Sequence, residues 1–375
     1  VKMSKSIENL YQEHLSEMFS LNKIEDYSAE EIDRILDRIL RCLPNKGKLY
    51  KYRSIDGDSF ENAYDSLTNG YLWFPKACDL NDEDTVLYYD PIKSVEEIQQ
   101  YLEQHPVLLI KAMLDSPECQ TKFGKTDFEE RAFENIINCY NLKTGDLIEE
   151  KALIELAKLN IERPQAIHYI RQIKRFVNTF IANNEESIKH LADLHMTYND
   201  KLRDMSYIFS MSEDYDSNSM WAYYATNNRG FCIEYDFQKA RALPSEAKRK
   251  LISLYRVEYQ EKQEDYSFIP LMEYYLGAKQ DIQKIQSETY NILTRLISKK
   301  IDWKHEKEWR LFLSNTENKQ YIDLVSGIII DERVLNTENA KRLIELSNKR
   351  GWSITVRRKN ITTTKHIYEK MEQAK

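Results

Sequence analysis

The spacing of hydrophobic residues constrains this chain most. Period-two stretches occur at 49–54, 71–74, 207–212, 231–236, 255–259, 324–330 and 352–356, whereas the run from Pro91 to Met205 carries helical spacing alone. Alternation puts successive side chains on opposite faces of a sheet, and three-four spacing gathers them on one helical stripe. Strands on both sides of a long helical run predict an α+β fold, a mixed β core interrupted by helices. The expected divisions are an N-terminal helical lead-in (1–46), a core (47–91 and 206–375) and a large helical insertion (92–205).

Capping signals sharpen the helices. Ser28 and Glu31 form a capping box before Ile32, Ile35, Leu36, Ile39 and Leu40, and Ser94–Glu97 and Thr126–Glu129 repeat the pattern. Ile167, Ile170, Ile173, Val177 and Phe180 make a later stripe. A helix is expected from 59 to 68, ended by Asn69-Gly70. Another is expected from about Pro270 to Lys300, delivering the chain to residues 301–313, IDWKHEKEWRLFL, the stretch densest in reactive groups.

From Glu308 the pattern Glu-Trp-Arg-Leu-Phe-Leu reads as a strand, so Glu306 and Glu308 are expected on one face, with Lys307 and Trp309 on the other. Close carboxylates repel, so one titrates upward unless a cation such as Arg310, or a metal, offsets the repulsion. The plain alternative is a solvated strand entry with surface charge and core tryptophans. In LYKYRS (49–54), Tyr50 and Tyr52 fall on one face and Lys51 and Arg53 on the other, where two cations hold phosphate or merely face water. Ser210 and Ser212 share a face. Trp221, Tyr223 and Tyr224 offer either a stacking wall or ordinary core. Asn81 and Asp82 sit in a turn.

Lys and Arg total 54 against 61 Asp and Glu, a net charge of −7, so non-specific adherence to nucleic acid or anionic membrane is not expected. The five cysteines are scattered without a Cys-x-x-Cys pair, His190 and His195 are five apart and off one helix face, and no metal site is expected. No apolar run reaches membrane-spanning length and the first residues lack an apolar h-region, which predicts a cytoplasmic protein without a membrane partner.

With these motifs together, the chain resembles a bacterial family, domain of unknown function 2971, from about Leu49 to about Val356 outside the insertion. The shared features are Tyr-Lys-Tyr-Arg at 50–53, Asn81-Asp82, Ser210-x-Ser212 followed by Met220-Trp221 and Gly230-Phe-Cys232, and Glu306-x-Glu308-Trp-Arg310. More distantly, the order of an early basic strand, a Ser-x-Ser strand and a late Glu-x-Glu looks like the signature of ADP-ribosyltransferases, which implies such a fold and NAD as substrate. By that likeness Glu308 is the catalytic glutamate, Glu306 activates the acceptor, and Arg53, with Lys51 as rival, contacts the NAD phosphates or ribose. Tyr52 belongs to the same strand, Ser210 and Ser212 shape the nicotinamide pocket, and Trp221 or Tyr224 stacks on the ring. The implied acceptor is an intracellular protein or nucleic acid, in a toxin or phage-defence setting, with a partner protein on the insertion or first helices. Two other classes fit the residues: a metal-dependent nuclease using Asp82, Glu306 and Glu308 near Lys304 or Lys307, and a non-catalytic nucleotide-sensing module.

Overall fold

The computed structural model describes residues 5–18, 26–80, 127–141, 146–182, 203–261, 297–314, 316–360 and 365–371, with single positions at 96, 100, 197, 200 and 201. The chain forms two compact units, one of 1–87, 201–264 and 290–375, the other of 88–200 and 265–289. Among the described residues no helix is long and apolar enough to cross a membrane.

The first unit opens with α1 (Lys5–Met18) and α2 (Ala29–Cys42). The expected capping box forms: Ser28 Oγ accepts from the Glu31 N–H at 3.2 Å, and the Glu31 carboxylate accepts from the Ser28 N–H at 2.8 Å. These helices flank the core of the sheet. The α2 stripe and Tyr11 and Leu15 of α1 share one apolar core with Trp309 and Tyr255. The Tyr11 and Trp309 rings meet edge to face at 5.9 Å, so amphipathic faces that would otherwise meet water are absorbed by the sheet. Pro44 to Gly47 turns the chain into β1 (Lys48–Ser54). Then come α3 (Gly57–Asn69), ended by left-handed Gly70, and the short β2 (Leu72–Trp73).

The second unit contains α4 (Asp127–Ile137), α5 (Glu149–Lys158) and α6 (Arg163–Ala182). They close on their own core around Phe133, Ile136, Leu156, Ile170 and Ile173. The Ser94–Glu97 box, Asn81, Asp82, His190 and His195 lie outside the described residues.

The rest of the first unit is β3 (Ser206–Ser212), α7 (Asn218–Tyr224), β4 (Gly230–Asp236), α8 (Ser245–Leu251), β5 (Leu254–Arg256), β6 (Glu258–Gln260) and β7 (Ser298–Lys300). It ends with β8 (Glu308–Ser314), β9 (Lys319–Gln320), β10 (Val325–Asp331), α9 (Glu338–Arg350), β11 (Ser353–Lys359) and β12 (His366–Lys370). Most of the expected 270–300 helix lies outside the described residues. Its last turn is instead β7, paired parallel with β6. The single strand expected at 255–259 is two, 254–256 paired with β8 and 258–260 with β7, and between them the Val257 N–H donates to Glu308 O at 2.9 Å.

Eight strands form a mixed sheet in the order β12-β11-β10-β4-β1-β3-β8-β5, in keeping with an α+β fold. β1 pairs with β4 along its whole length but with β3 only at Tyr50 and Ser212. Further along β3, the Ile208 N–H donates to Pro75 O at 3.0 Å and Lys76 bridges Tyr207. The sheet therefore parts between β1 and β3, and the gap begins at Lys51.

Candidate functional site

A cavity of about 740 Å³ occupies this gap, walled by β1, β3, the start of β8 and one side of α3, and its described lining residues belong to the first unit. The strand registers set which side chains enter it. Ser212 lies opposite Glu308 and Ser210 opposite Arg310, so alternation puts these four on one face together with Tyr50 and Tyr52. Lys51 and Arg53 leave β1 from the other face. The expected separation of tyrosines and cations on LYKYRS is thus observed, and because the strands diverge both sets line the same cavity.

Glu306 and Glu308 do meet, but not through strand alternation. Glu306 ends a 3-10 helix (Ile301–Glu306), Lys307 is left-handed at φ 47°, and the strand begins only at Glu308. The sharp reversal at Lys307 brings the two carboxylates to the same cation. Lys299 Nζ lies 2.6 Å from Glu306 Oε2 and 3.5 Å from Glu308 Oε2, and all three side chains are buried. Arg310 donates to both oxygens of Glu308, at 2.7 and 3.1 Å, and Tyr224 Oη donates to Glu306 Oε1 at 2.6 Å.

The two acids accordingly titrate apart. Burial pushes each toward the protonated form, but for Glu308 the Arg310 and Lys299 charges and a Ser210 hydrogen bond prevail and hold the carboxyl down at about 2. For Glu306, burial and the Glu308 charge outweigh Lys299 and Tyr224, and the carboxyl is raised. One group is a fixed anion and the other is displaced toward the range where proton transfer is useful.

The cations on β1 have a different character. Lys51 Nζ donates to Ser210 O at 2.6 Å and sits 4.3 Å from the centre of the Phe209 ring. Among the described residues Arg53 has no side-chain hydrogen-bond partner, and neither it nor Lys51 has a carboxylate within ion-pair distance. Burial lowers the basicity of both, and Arg53 lowers that of Lys51 further.

Of the other expected site residues, Ser210, Ser212, Tyr52 and Tyr224 line the cavity and Trp221 does not. Trp221 is wholly buried, its indole N–H donates to Tyr215 O at 2.8 Å, and its ring packs edge-on to Tyr52 at 5.4 Å. It supports the wall from behind because helical spacing turns Met220 and Tyr224 outward in its place. Tyr52 directs its hydroxyl to Asp214 O, and Ser212 Oγ donates to Glu306 O at 2.6 Å while accepting from the Asp214 N–H at 3.0 Å. Both position the Glu306 reversal. Tyr223 is 70% exposed.

Lys299 and Tyr259, whose hydroxyl accepts from the Glu308 N–H at 2.8 Å, carried no motif that singled them out. Among the described residues no three His, Cys, Asp or Glu side chains group as metal ligands, and Asp82 is outside them. Lys307 is paired with Asp214 at 2.9 Å.

The model of a family described as protein of unknown function, DUF2971, matches residues 220–311. Over these residues the chain is similar to DUF2971. The matched span runs from α7 to β8 and holds Met220-Trp221, Gly230-Phe-Cys232 and the Glu306–Arg310 motif, whereas LYKYRS and Ser210-x-Ser212 fall outside it. No curated protein and no solved structure matches. The DUF2971 segment supplies the acidic end of the cavity and β4. Gly230 explains its own motif, since a Cβ there would lie 2.3 Å from Arg53 O, so the glycine lets β4 seat the strand that carries the cation.

Proposed function

We propose that this protein cleaves NAD in the cavity between β1 and β3, as an ADP-ribosyltransferase-like enzyme or NAD glycohydrolase. The observation that carries the reading is the meeting, in one cavity, of the ionised Glu308 with the guanidinium of Arg53, which has no described carboxylate within ion-pair distance. A dinucleotide diphosphate supplies the missing anions, bidentately to Arg53. Breaking the bond between nicotinamide and ribose sends the electron pair to nicotinamide and leaves positive charge on the sugar. A fixed carboxylate facing that charge lowers the barrier. Glu306, with its raised carboxyl, takes the proton of the attacking acceptor or water.

The test is release of free nicotinamide by the purified protein, with and without cell lysate. Glu308→Gln is expected to lower release about 10²- to 10³-fold. Release by wild type and variant alike would overturn the assignment of Glu308. The acceptor and the setting belong to the same proposal: an intracellular protein or nucleic acid, in a toxin or phage-defence role. Growth arrest on expression, relieved by Glu308→Ala, is the expected cellular outcome, and unaffected growth in both cases counts against it.

One observation favours a second reading, a nucleotide-binding module without chemistry. Arg310 and Lys299 already neutralise much of the Glu308 charge. If NAD or ADP-ribose raises thermal stability in the wild type but not in Arg53→Ala, and no nicotinamide appears, binding is the function.

A further inference from the structure

Lys51 is unlike the other cations around the cavity. Lys299 and Arg310 are held by carboxylates, and Lys319 lies 3.7 Å from Asp65. Lys51 lies where β1 leaves β3, over an aromatic ring, with a single backbone carbonyl as its acceptor and with Arg53 two residues on along the same strand face. Burial, and after it the neighbouring Arg53 guanidinium, lower the basicity of the amine well below that of a free lysine, against the Glu308 charge, which favours the ammonium. A neutral amine donates one N–H to Ser210 O and keeps its lone pair for the cavity. A lysine desolvated beside another cation is a standard way to make a nucleophile for carbonyl compounds. The companion Arg53, with no hydrogen-bond or ion-pair partner for its side chain among the described residues, is an anchor for phosphate.

We infer that Lys51 is a nucleophilic amine that condenses reversibly with the aldehyde of a phosphorylated reducing sugar whose phosphate is bound by Arg53. ADP-ribose is the member of this class that NAD cleavage would leave in the same cavity; that choice of sugar rests on the proposed function, whereas the chemistry of the amine does not. In the step, the Nζ lone pair adds to the aldehyde carbon of the open-chain sugar. The carbonyl oxygen then leaves as water with the two N–H hydrogens, and a C=N bond remains. No oxidant or reductant is consumed. The adduct would retain the product in the cavity and so limit turnover.

The full chain is incubated separately with ADP-ribose, ribose 5-phosphate and ribose in the presence of cyanoborohydride, which traps the imine as a secondary amine, and each lysine is scored by peptide mass spectrometry. The expected result is labelling of Lys51 at least about tenfold above any other lysine with both phosphorylated sugars, falling about tenfold with ribose or in Arg53→Ala. Labelling spread over surface lysines, or labelling of Lys51 indifferent to the phosphate and to Arg53, would overturn the inference. The wild-type site map requires no variant to fold. Because the sugars are supplied directly, failure to release nicotinamide from NAD would sink the proposed reaction without affecting this result.

Discussion

Glu306 and Glu308 respond to burial in opposite ways because Arg310 grips only Glu308. This has a sign that can be measured. A carboxyl depressed from 4.5 to about 2 contributes stability that is fully present above pH 4.5 and is lost as pH falls through the folded value. Glu308→Gln should therefore destabilise the protein by roughly 3 kcal/mol near neutrality, with the difference shrinking toward pH 2. Glu306 is raised, so its ionisation costs stability as pH climbs through and beyond 4.5. Glu306→Gln should thus gain on the wild type over the same climb. Urea denaturation of the three proteins at steps from pH 3 to pH 7 checks both slopes, and parallel slopes would show that the two acids are not split. Much of this pair was legible in the sequence: two glutamates with Arg310 as the offsetting cation. Lys299 was not, because a lysine in Ser-Lys-Lys has no local mark of burial. Its role arises from pairings between strands distant in the chain.

Among elements, the joint from the 3-10 helix to β8 and the seam between β1 and β4 decide where the reactive groups stand. Lys307 carries a left-handed φ of 47°, which a β-branched residue tolerates poorly. Lys307→Val should cost about 1–3 kcal/mol and separate Glu306 from Lys299, whereas Lys307→Gly should keep the joint. Chemical denaturation of the two variants is the comparison, and equal losses would point to the Asp214 pair instead of the backbone. At the seam, Gly230→Ala forces a methyl group against Arg53 O and should cost about 1–3 kcal/mol by the same measurement. Helices and strands with strong periodicity were readable from the chain, as the Ser28 box and LYKYRS show. Strand order was not readable. Nothing in the period of β1 says that it holds β4 throughout and β3 at one pair only, and that single pairing makes the cavity. The strand from Glu308 was readable, but the expected alternation of Glu306 with Glu308 failed for a related reason, since alternation cannot register one left-handed residue.

At the scale of the molecule, the described core of the second unit shares no residue with the described cores of the first, which implies that each unit unfolds cooperatively. The described residues that line the cavity belong to the first unit. A ligand that binds a folded unit stabilises it by mass action, so ADP-ribose should slow amide exchange in β1, β3 and β8 in proportion to its occupancy. Ile136, wholly buried among Phe133, Leu156 and Ile170 in the second unit, tests the separation. Ile136→Ala should cost that unit about 2–5 kcal/mol through lost burial and the space left behind. If the units unfold independently, calorimetry of the variant shows one transition lowered and the other unmoved, and ADP-ribose raises only the unmoved one. If both transitions fall together and the ligand response falls with them, the helical unit acts on the cavity and is part of the machinery that the sheet presents.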